Sequence, residues 1–331
     1  MPGTTKVAAV QISTTTGQLE QNLSHVRALT EEAVARGAEI IALPEFFTGA
    51  LAPSVEAFRV ALPAGNNAAT DFLLEVATTH RKYIGGSLLV AAGNDLFNRY
   101  YLATPGGKLH THDKDLPTMW ENCFYIGGHD DGVFATELGG VGAAVCWELI
   151  RTRTLARMAG RVQLVITGTH WWDLPSNWPA VPHLLRSAAR TNRELSEQAP
   201  VEFARHLGVP VIQASHCGTL AGDFYLAAPS NVRLPYRTFF VGKTQIVDGW
   251  GRVVAARNTD EGPGVVVGDV PLGRVRTTGS VALPDRFWIP KLPVLHRLYW
   301  THQNWAGKGM YKRLGRRSGL DAAAANAAMG G

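Results

Sequence analysis

The chain has 331 residues, of which 46% are hydrophobic and 18% charged, so it is long enough to bury a full core, and we favour one large domain over two. No hydrophobic signal region follows Met1, and the longest apolar stretches fall short of the roughly 20 residues that span a bilayer, which predicts a cytoplasmic protein without a membrane segment. Much of the formal charge of +5 comes from lysines and arginines near the end of the chain, so the body is closer to balanced.

The first predicted elements form a strand, a helix and a second strand. Residues 6–12 and 39–43 read as strands, and the apolar spacing between them predicts a helix that ends at Gly37. Pro44 cannot donate to a sheet ladder, so the second strand ends there and places Glu45 on the loop beside two phenylalanines. Partial burial would raise the pKa of this carboxyl and suit it to proton transfer. The alternative is a loop carboxylate that caps a helix.

The next segment predicts a helix over residues 70–79 and strands over 83–91, 99–104 and a run through His110. His110 and His112 alternate on one strand face, but no third ligand is spaced to join them, so we predict a solvated face and no metal. Lys114 follows this strand. A lysine there is usually a solvated charge, and its interest depends on what lies nearby.

Residues 138–150 contain the sequence L-G-G-V-G-A-A-V-C-W-E-L-I, in which an apolar strand over 141–145 leads to Cys146. A thiol at the rim of an α/β sheet is a candidate nucleophile, although a small buried packing residue is the alternative. A helix over 153–159 and a strand over 164–167 follow, and that strand opens into His170 and Trp171. These large side chains either plug the end of the sheet or form a pocket wall.

The later elements are a helical segment from Pro182 that is interrupted near Pro200, a strand over 209–214, a hairpin over 244–255 and a last strand over 265–270. Cys217 follows the second of these elements as a rival nucleophile. The cysteines at 123, 146 and 217 form no close pair and are too few for a disulfide framework, which agrees with a reducing compartment.

From Leu283 onward, prolines, aromatics and basic residues alternate before an alanine-rich end. Basic residues mixed with aromatics can bind nucleic acid, but we favour an arm that grips a partner subunit and ends in a frayed segment. Neither a phosphate loop, a G-x-S-x-G motif nor a dinucleotide-binding loop is present. The sequence therefore gives weak support to NAD, ATP or serine-hydrolase chemistry.

Glu45, Lys114 and Cys146 each follow a predicted strand, and together they supply the groups that covalent acyl transfer requires. A thiol near its reference pKa of ~8.5 is mostly protonated at neutral pH, so attack by Cys146 needs a base, and Glu45 can serve. The Lys114 ammonium would stabilise the oxyanion that forms when sulfur adds to a carbonyl or nitrile carbon. The backbone N–H of Trp147 is a candidate second donor. This chemistry needs no metal and no cofactor.

Five segments of the chain resemble motifs of the nitrilase, or carbon–nitrogen hydrolase, superfamily. They are V-A-A-V-Q at 7–11, A-L-P-E-F-F at 42–47, K-D-L-P at 114–117, A-V-C-W-E at 144–148 and the hairpin at 241–253. The resemblance spans roughly residues 5 to 270 in the family's order. It implies that Cys146 attacks, Glu45 is the general acid and base, Lys114 stabilises the tetrahedral intermediate, and Glu121 matches a second glutamate that orients the site.

The resemblance also implies the fold and the assembly. The family's fold is an α/β structure, a four-layer αββα sandwich of two mixed β-sheets between helices, and its members commonly dimerise. We therefore expect a carbon–nitrogen hydrolase domain over residues 1–282 and a C-terminal extension over 283–331 that serves as an extended oligomerisation arm with a flexible end. The expected partners are a small amide or nitrile and a second copy of the chain, with no nucleic acid and no membrane.

The identity of the substrate has more than one reading. The L-P-T-x-x-E segment at 116–121 and Cys-Trp-Glu are similar to true nitrilases, whereas Asp113 replaces the usual basic residue before Lys114. Because amidases outnumber nitrilases in the superfamily, we place amide hydrolysis ahead of nitrile hydrolysis. A catalytically silent binding or scaffold protein is the alternative from another class. The aromatic side chains near the site favour an aromatic or apolar acyl group, and the expected substrate-binding residues are Trp120, Trp147, His170 and Trp171.

Overall fold

The computed structural model describes residues 3–178, 186–225, 233–273, 287–289 and 291–329. Within those residues the strands, numbered β1 to β15, are Thr4–Ile12, Ile40–Ala42, Leu62–Pro63, Tyr83–Ala92, Asp95–Ala103, Leu109–Asp113, Val133–Thr136, Gly139–Ala143, Leu164–Thr169, Val211–His216, Thr219–Tyr225, Arg233–Phe239, Thr244–Val247, Val253–Arg257 and Gly264–Pro271. The α-helices, α1 to α6, are Leu19–Ala35, Ala68–His80, Thr152–Met158, Arg186–Leu207, Val294–Met310 and Arg316–Met329. The protein thus has a mixed α/β fold.

Strands β1 and β10 are the centres of two sets of paired strands. β1 pairs in parallel with β2 on one edge and antiparallel with β15 on the other, whereas β10 pairs in parallel with β9 and antiparallel with β13. The resulting orders are β6-β5-β4-β2-β1-β15 and β7-β8-β9-β10-β13-β14. In the described part of the chain, β1 and β10 meet at two residue pairs, Gln11 with Ser215 and Ile12 with His216. The two sets are therefore joined at the carboxyl ends of their central strands.

Alternating side chains of β1 face two different cores. Ala8, Val10 and Ile12 pack in the cluster that contains the buried residues of α1 and α2, whereas Val7 and Ala9 belong to the cluster that contains the strands of the second set. Successive side chains of a strand point to opposite faces of a sheet, so one strand can serve both cores. Helices α1 and α2 contact the first set of strands and α4 contacts the second.

The C-terminal helices pack on the body of their own chain. A five-residue π-helical turn, Tyr311–Gly315, joins α5 to α6, and the Tyr311 hydroxyl accepts a hydrogen bond from the Leu96 backbone N–H at 2.9 Å. Helix α5 lies against the short 3₁₀ helix Met119–Cys123, and α6 lies against β3. The described residues of the extension therefore form a helical layer on the body, whereas the sequence had suggested an extended arm. Residues 274–286 lie outside the described residues.

Most of the strands and helices expected from the sequence are present, with two differences that bear on the site. Strand β8 ends at Ala143 and Cys146 begins a 3₁₀ turn, Cys146–Ile150, so the predicted strand end at Val145 is wrong. The predicted interruption near Pro200 is also wrong, because α4 runs through this proline and buries it. No helix in the described ranges has both the length and the apolar character required to cross a membrane.

Candidate active site

Glu45 lies in the loop after β2, and hydrogen-bond donors surround its carboxylate. Oε1 accepts from Lys114 Nζ at 2.8 Å and from Asn98 Nδ2 at 2.7 Å, and Oε2 accepts from the His170 backbone N–H at 2.8 Å. Gly168 allows this approach, because a β-carbon there would collide with the Glu45 backbone nitrogen. Burial outweighs the opposing effect of Lys114 and raises the pKa of Glu45 to about 7. This carboxyl can therefore gain or lose a proton near neutral pH.

Lys114 lies directly after β6 and bridges two buried carboxylates. Its Nζ is 2.8 Å from Glu45 Oε1 and 2.8 Å from Glu121 Oε2, and all three side chains are completely buried. Burial alone would lower the pKa of Lys114, but the charges of Glu121 and Glu45 hold that pKa well above its ordinary value. The ammonium therefore stays charged, and the solvated lysine considered from the sequence is excluded.

Cys146 is completely buried and begins the turn after β8 with a φ of 54°. The charges of Glu45 and Lys114 both act on its thiol, with opposite effects on its pKa. Burial and then the charge of Glu45 raise the pKa of the thiol well above its ordinary value. The resting form is therefore the protonated thiol, and a base is required to turn it into a nucleophile.

Glu121 lies on the 3₁₀ helix Met119–Cys123, and its two oxygens have different surroundings. Oε2 accepts from Lys114 Nζ, from the Thr118 backbone N–H at 2.9 Å and from the Tyr125 hydroxyl. Oε1 is buried and has no hydrogen-bond partner among the described residues. Because a carboxylate oxygen only accepts hydrogen bonds, this atom is suited to a donor on a bound molecule.

His170 follows β9, and its ring lies in an aromatic enclosure. Ring centroids of Phe46, Trp120, Trp172, His216 and Phe240 lie between 4.9 and 6.1 Å from the His170 ring. Burial, with the nearby His216 and Lys114, lowers the pKa of His170 well below its ordinary value, so its ring is neutral.

The other residues expected at the substrate site surround His170 or a nearby cavity. Trp120 packs against Trp172 with centroids 4.4 Å apart and ring planes tilted by 37°. Trp147 and Trp171 line a cavity with about 410 Å³ of empty space, which includes the part that is open to solvent. The cavity wall contains the residue that follows Cys146 but does not include Cys146 itself.

A buried ionic cluster behind the site is a feature that the sequence analysis missed. Glu148 Oε2 accepts from the Val145 backbone N–H at 2.7 Å and lies 2.9 Å from His112 Nε2, while Oε1 accepts from the Asp115 backbone N–H at 3.0 Å. Val145 and Asp115 are the chain neighbours of Cys146 and Lys114. Glu148 therefore ties the two loops that carry the thiol and the ammonium.

His112 belongs to this cluster, so the prediction of a solvated strand face is wrong for this residue. Its ring is completely buried between Asp130 and Glu148. Burial would lower the pKa of His112, but the two carboxylates raise it to about 10, and the ring is an imidazolium at neutral pH. The sequence does contain Glu148 two positions after Cys146, but its pairing with His112 becomes visible only when the two loops are placed together.

The other two cysteines make no hydrogen bond to Glu45, Lys114 or Glu121 in the described part of the chain. The Cys217 sulfur donates to the Ile12 carbonyl at 3.4 Å, and burial raises its pKa to about 11. Burial raises the pKa of Cys123 to about 12. Across the residues that the structure describes, no cluster of three or more His, Cys, Asp or Glu side chains has the arrangement of a metal site.

The arrangement is of the kind that covalent acyl transfer uses, with an ammonium in contact with a carboxyl of near-neutral pKa, and a buried thiol on which both charges act. The chain belongs to the carbon–nitrogen hydrolase family, whose profile matches residues 6–279. The resemblance stated from the sequence motifs is thereby confirmed.

Curated relatives of this chain include amidases and nitrilases. The chloroplastic omega-amidase of Arabidopsis thaliana is 29% identical over 237 residues, which is 66% of this chain and 62% of that protein. Nitrilase 1 of the same plant is 29% identical over 184 residues, or 47% of this chain and 52% of that protein. The chain therefore spans between half and two thirds of these relatives' length.

Solved structures with a similar fold include the amidase of Nesterenkonia sp. AN1. A cysteine variant of that amidase in complex with butyramide matches 82% of this chain and 92% of its own, with a TM-score of 0.57 and 19% identity. Another variant, which carries the acetamide moiety of fluoroacetamide on its active-site cysteine, matches 81% of this chain and 91% of its own at the same TM-score and identity. At this identity the likeness shows the shared fold.

Proposed function

We propose that this protein is a cysteine-dependent hydrolase of non-peptide carbon–nitrogen bonds, which forms a thioester on Cys146 and releases ammonia or an amine, and that its substrate is an amide. The observation that carries the proposal is the Lys114 ammonium, held 2.8 Å from each of two buried carboxylates beside a buried thiol. Burying charged groups costs free energy, and clusters of buried charges such as this one occur preferentially at functional sites. The amidases and nitrilases among the relatives support the same chemistry.

The proposed reaction has two halves that use the same carboxyl. Glu45 takes the thiol proton of Cys146 as sulfur bonds to the carbonyl carbon, and the Lys114 ammonium and the Trp147 backbone N–H stabilise the oxyanion. Glu45 then donates that proton to the departing nitrogen, the C–N bond breaks, and a thioester remains. Water adds to the thioester as Glu45 takes its proton, and the C–S bond breaks to release the acid. Glu45 finally returns the proton to the sulfur.

The second carboxylate supports an amide over a nitrile. Glu121 Oε1 is a buried acceptor that receives no hydrogen bond within the described ranges, with His170 Nδ1 4.0 Å away, and the charge of Glu121 acts on the Cys146 thiol. An amide N–H can donate to this oxygen, whereas a nitrile nitrogen carries no hydrogen and would leave it unsatisfied. Hydrolysis of a nitrile to an acid and ammonia is the second candidate, supported by the nitrilases among the relatives.

We infer that the fold is the four-layer αββα sandwich. Support comes from the two sets of paired strands and from the different cores on the two faces of β1, with α1 and α2 outside one set and α4 outside the other. We also propose assembly into a homodimer or a larger homo-oligomer in the cytoplasm, with residues 283–331 as part of the interface. Val294, Leu298 and Trp305 support this proposal, because each is more than 60% exposed on one face of α5.

The first experiment measures ammonia after incubation with a panel of primary amides and the corresponding nitriles. We expect turnover of amides, loss of turnover in Cys146→Ala, and retention in the matched control Cys217→Ala. Formation of acid from nitriles alone would overturn the amide assignment. Loss of turnover in Cys217→Ala with retention in Cys146→Ala would overturn the assignment of the nucleophile.

A second experiment separates an enzyme from a binding or scaffold protein. Iodoacetamide at neutral pH is expected to alkylate Cys146, and an amide that is turned over is expected to protect it, because Glu45 can accept the thiol proton. A Cys146 thiol that stays unmodified in the native protein, together with an absence of ammonia release, would support the scaffold alternative.

A further inference from the structure

Helix α5 begins after the last residue that matches the family profile, yet it forms one side of the cavity beside the nucleophile. The profile ends at residue 279 and α5 spans Val294–Met310. His296 and Tyr299 of this helix line the cavity together with Trp147, Trp171 and Trp172. A segment outside the family match therefore contributes to the surroundings of the site.

The position of α5 is fixed by contacts with the elements that carry the catalytic candidates. Asn122, the residue after Glu121, donates from Nδ2 to Asn304 Oδ1 at 2.8 Å. Gly307 allows the helix to approach, because a β-carbon there would lie 2.6 Å from the β-carbon of Asn122. The cavity wall is thus anchored to the helix that bears Glu121.

The segment before α5 makes a second attachment, to the turn that begins at Cys146. The Ile289 backbone N–H donates to the Ile150 carbonyl at 2.6 Å. The ring of Trp288 packs edge-on against Trp147, with centroids 5.5 Å apart. The extension therefore contacts both the 3₁₀ helix that bears Glu121 and the turn that begins at Cys146, and it is packed firmly against the site.

Among the described residues that line the cavity, one fully buried side-chain atom has no hydrogen-bond partner. Asn192 and Asp173 also line the cavity, but Asn192 is hydrogen-bonded to Trp171 Nε1 at 2.9 Å and Asp173 is paired with Arg193 at 2.7 Å. His296 is 7% exposed, and its Nδ1 has no hydrogen-bond partner in the part of the chain that the structure describes. A buried polar atom without a partner, on a residue that lines a cavity, is suited to a group on a bound molecule.

We infer that α5 forms the acyl-binding wall of the active site and that His296 is a specificity-determining residue for planar aromatic acyl groups that carry a hydroxyl. The three tryptophans and Tyr299 provide flat apolar surfaces for such a ring. A hydroxyl matches either tautomer of His296, because it can donate or accept a hydrogen bond. This inference rests on the proposed function, since it names the substrate class of the same site.

The test compares kcat/KM for 3- and 4-hydroxybenzamide, benzamide and butyramide. The wild type is expected to favour a hydroxybenzamide over benzamide, and His296→Leu to reduce that preference about tenfold, as the loss of one buried hydrogen bond implies. His296→Gln keeps a polar group and is expected to retain most of the preference. Arg297→Ala is the matched control, because Arg297 is exposed on the same helix, does not line the cavity and is not one of the three apolar residues proposed for the interface.

Binding of 3- and 4-hydroxybenzoate, measured by calorimetry, gives a readout that does not depend on turnover. His296→Leu is expected to weaken the binding of at least one of these acids about tenfold, and Arg297→Ala to leave it unchanged. If the wild type is active but His296→Leu shows the same preference for hydroxybenzamides and the same binding of hydroxybenzoates, this inference is overturned and the proposed function stands. If the wild type hydrolyses no amide or nitrile but binds a hydroxybenzoate, and His296→Leu weakens that binding, the binding wall is supported and the proposed function is overturned.

Discussion

Replacing Glu148 by glutamine tests whether the buried cluster positions the thiol and the ammonium. Glu148 accepts hydrogen bonds from the backbone N–H groups of Val145 and Asp115 at its two different oxygens. A glutamine keeps one oxygen and places an NH₂ group where the other stood. One of the two backbone donors must therefore face another donor in a completely buried position.

The size of the effect follows from what the substitution leaves behind. The carboxylate is also paired with His112 at 2.9 Å and with Arg157 at 3.3 Å. Removing one partner of a buried ion pair costs about 3–5 kcal/mol, a range that already includes the unpaired donor. We therefore expect the free energy of unfolding to fall by that amount. A displacement of the loops by about 1 Å would lower kcat roughly 100-fold, with a smaller change in KM.

Urea unfolding followed by tryptophan fluorescence, with ammonia release below the transition, measures both effects. Glu75→Gln is the matched control, because Glu75 forms an ion pair with Arg27 at an exposed position and such pairs contribute about 0–1 kcal/mol. A Glu148→Gln variant whose stability lies within about 1 kcal/mol of the wild type and whose kcat is unchanged would refute the positioning role.

Three further predictions concern the charged groups and the C-terminal helix. Because burial raises the pKa of Glu45 to about 7, we expect kcat/KM to rise with pH through about 7 and to be nearly lost in Glu45→Gln. The raised pKa also contributes to the stability of the fold; this contribution is fully present below pH 4.5 and is lost as the pH rises through 7. Lys114→Met is expected to lower kcat about 100- to 1,000-fold in the ammonia assay, the usual effect of removing one oxyanion donor, and a loss of less than tenfold would contradict its role. Gly307→Val is expected to lower the free energy of unfolding by about 1–3 kcal/mol through its contact with Asn122, whereas Gly65→Ala, which has open space around it, should show little change in the same urea experiment.

The sequence predicted the elements of the fold well where hydrophobic periodicity was regular. The helix and two strands that lead to Glu45 were placed correctly, because proline and glycine mark their ends. Pro200 was misleading, because the tertiary packing that buries this side chain within α4 is not visible in local sequence. The packing of α5 and α6 on the body was missed for the same reason.

The candidate site was predictable to the extent that it lies on motifs. Glu45, Lys114 and Cys146 occur on three separate loops, and the sequence predicted that they act together. The structure brings Glu45 and Lys114 into contact and buries all three side chains. The roles of His112 and His296 could not be predicted in this way. Each depends on a residue that is distant in sequence, and a single histidine on a strand or helix carries no sign of burial or of its partners.

Among the residues that the structure describes, three of the four non-glycine residues with positive φ lie at or beside the site. Phe46 follows Glu45, Met119 begins the turn of Glu121, and Cys146 is the proposed nucleophile, with φ values of 52°, 53° and 54°. Each such backbone costs of order 1 kcal/mol, and folded packing must maintain it. Stability and activity thus oppose each other here: glycine at Phe46 or Met119 would relax the backbone but would loosen the loops that hold the two carboxylates. Engineers who seek a more heat-resistant variant should leave these positions unchanged and work on the exposed surface of the helices.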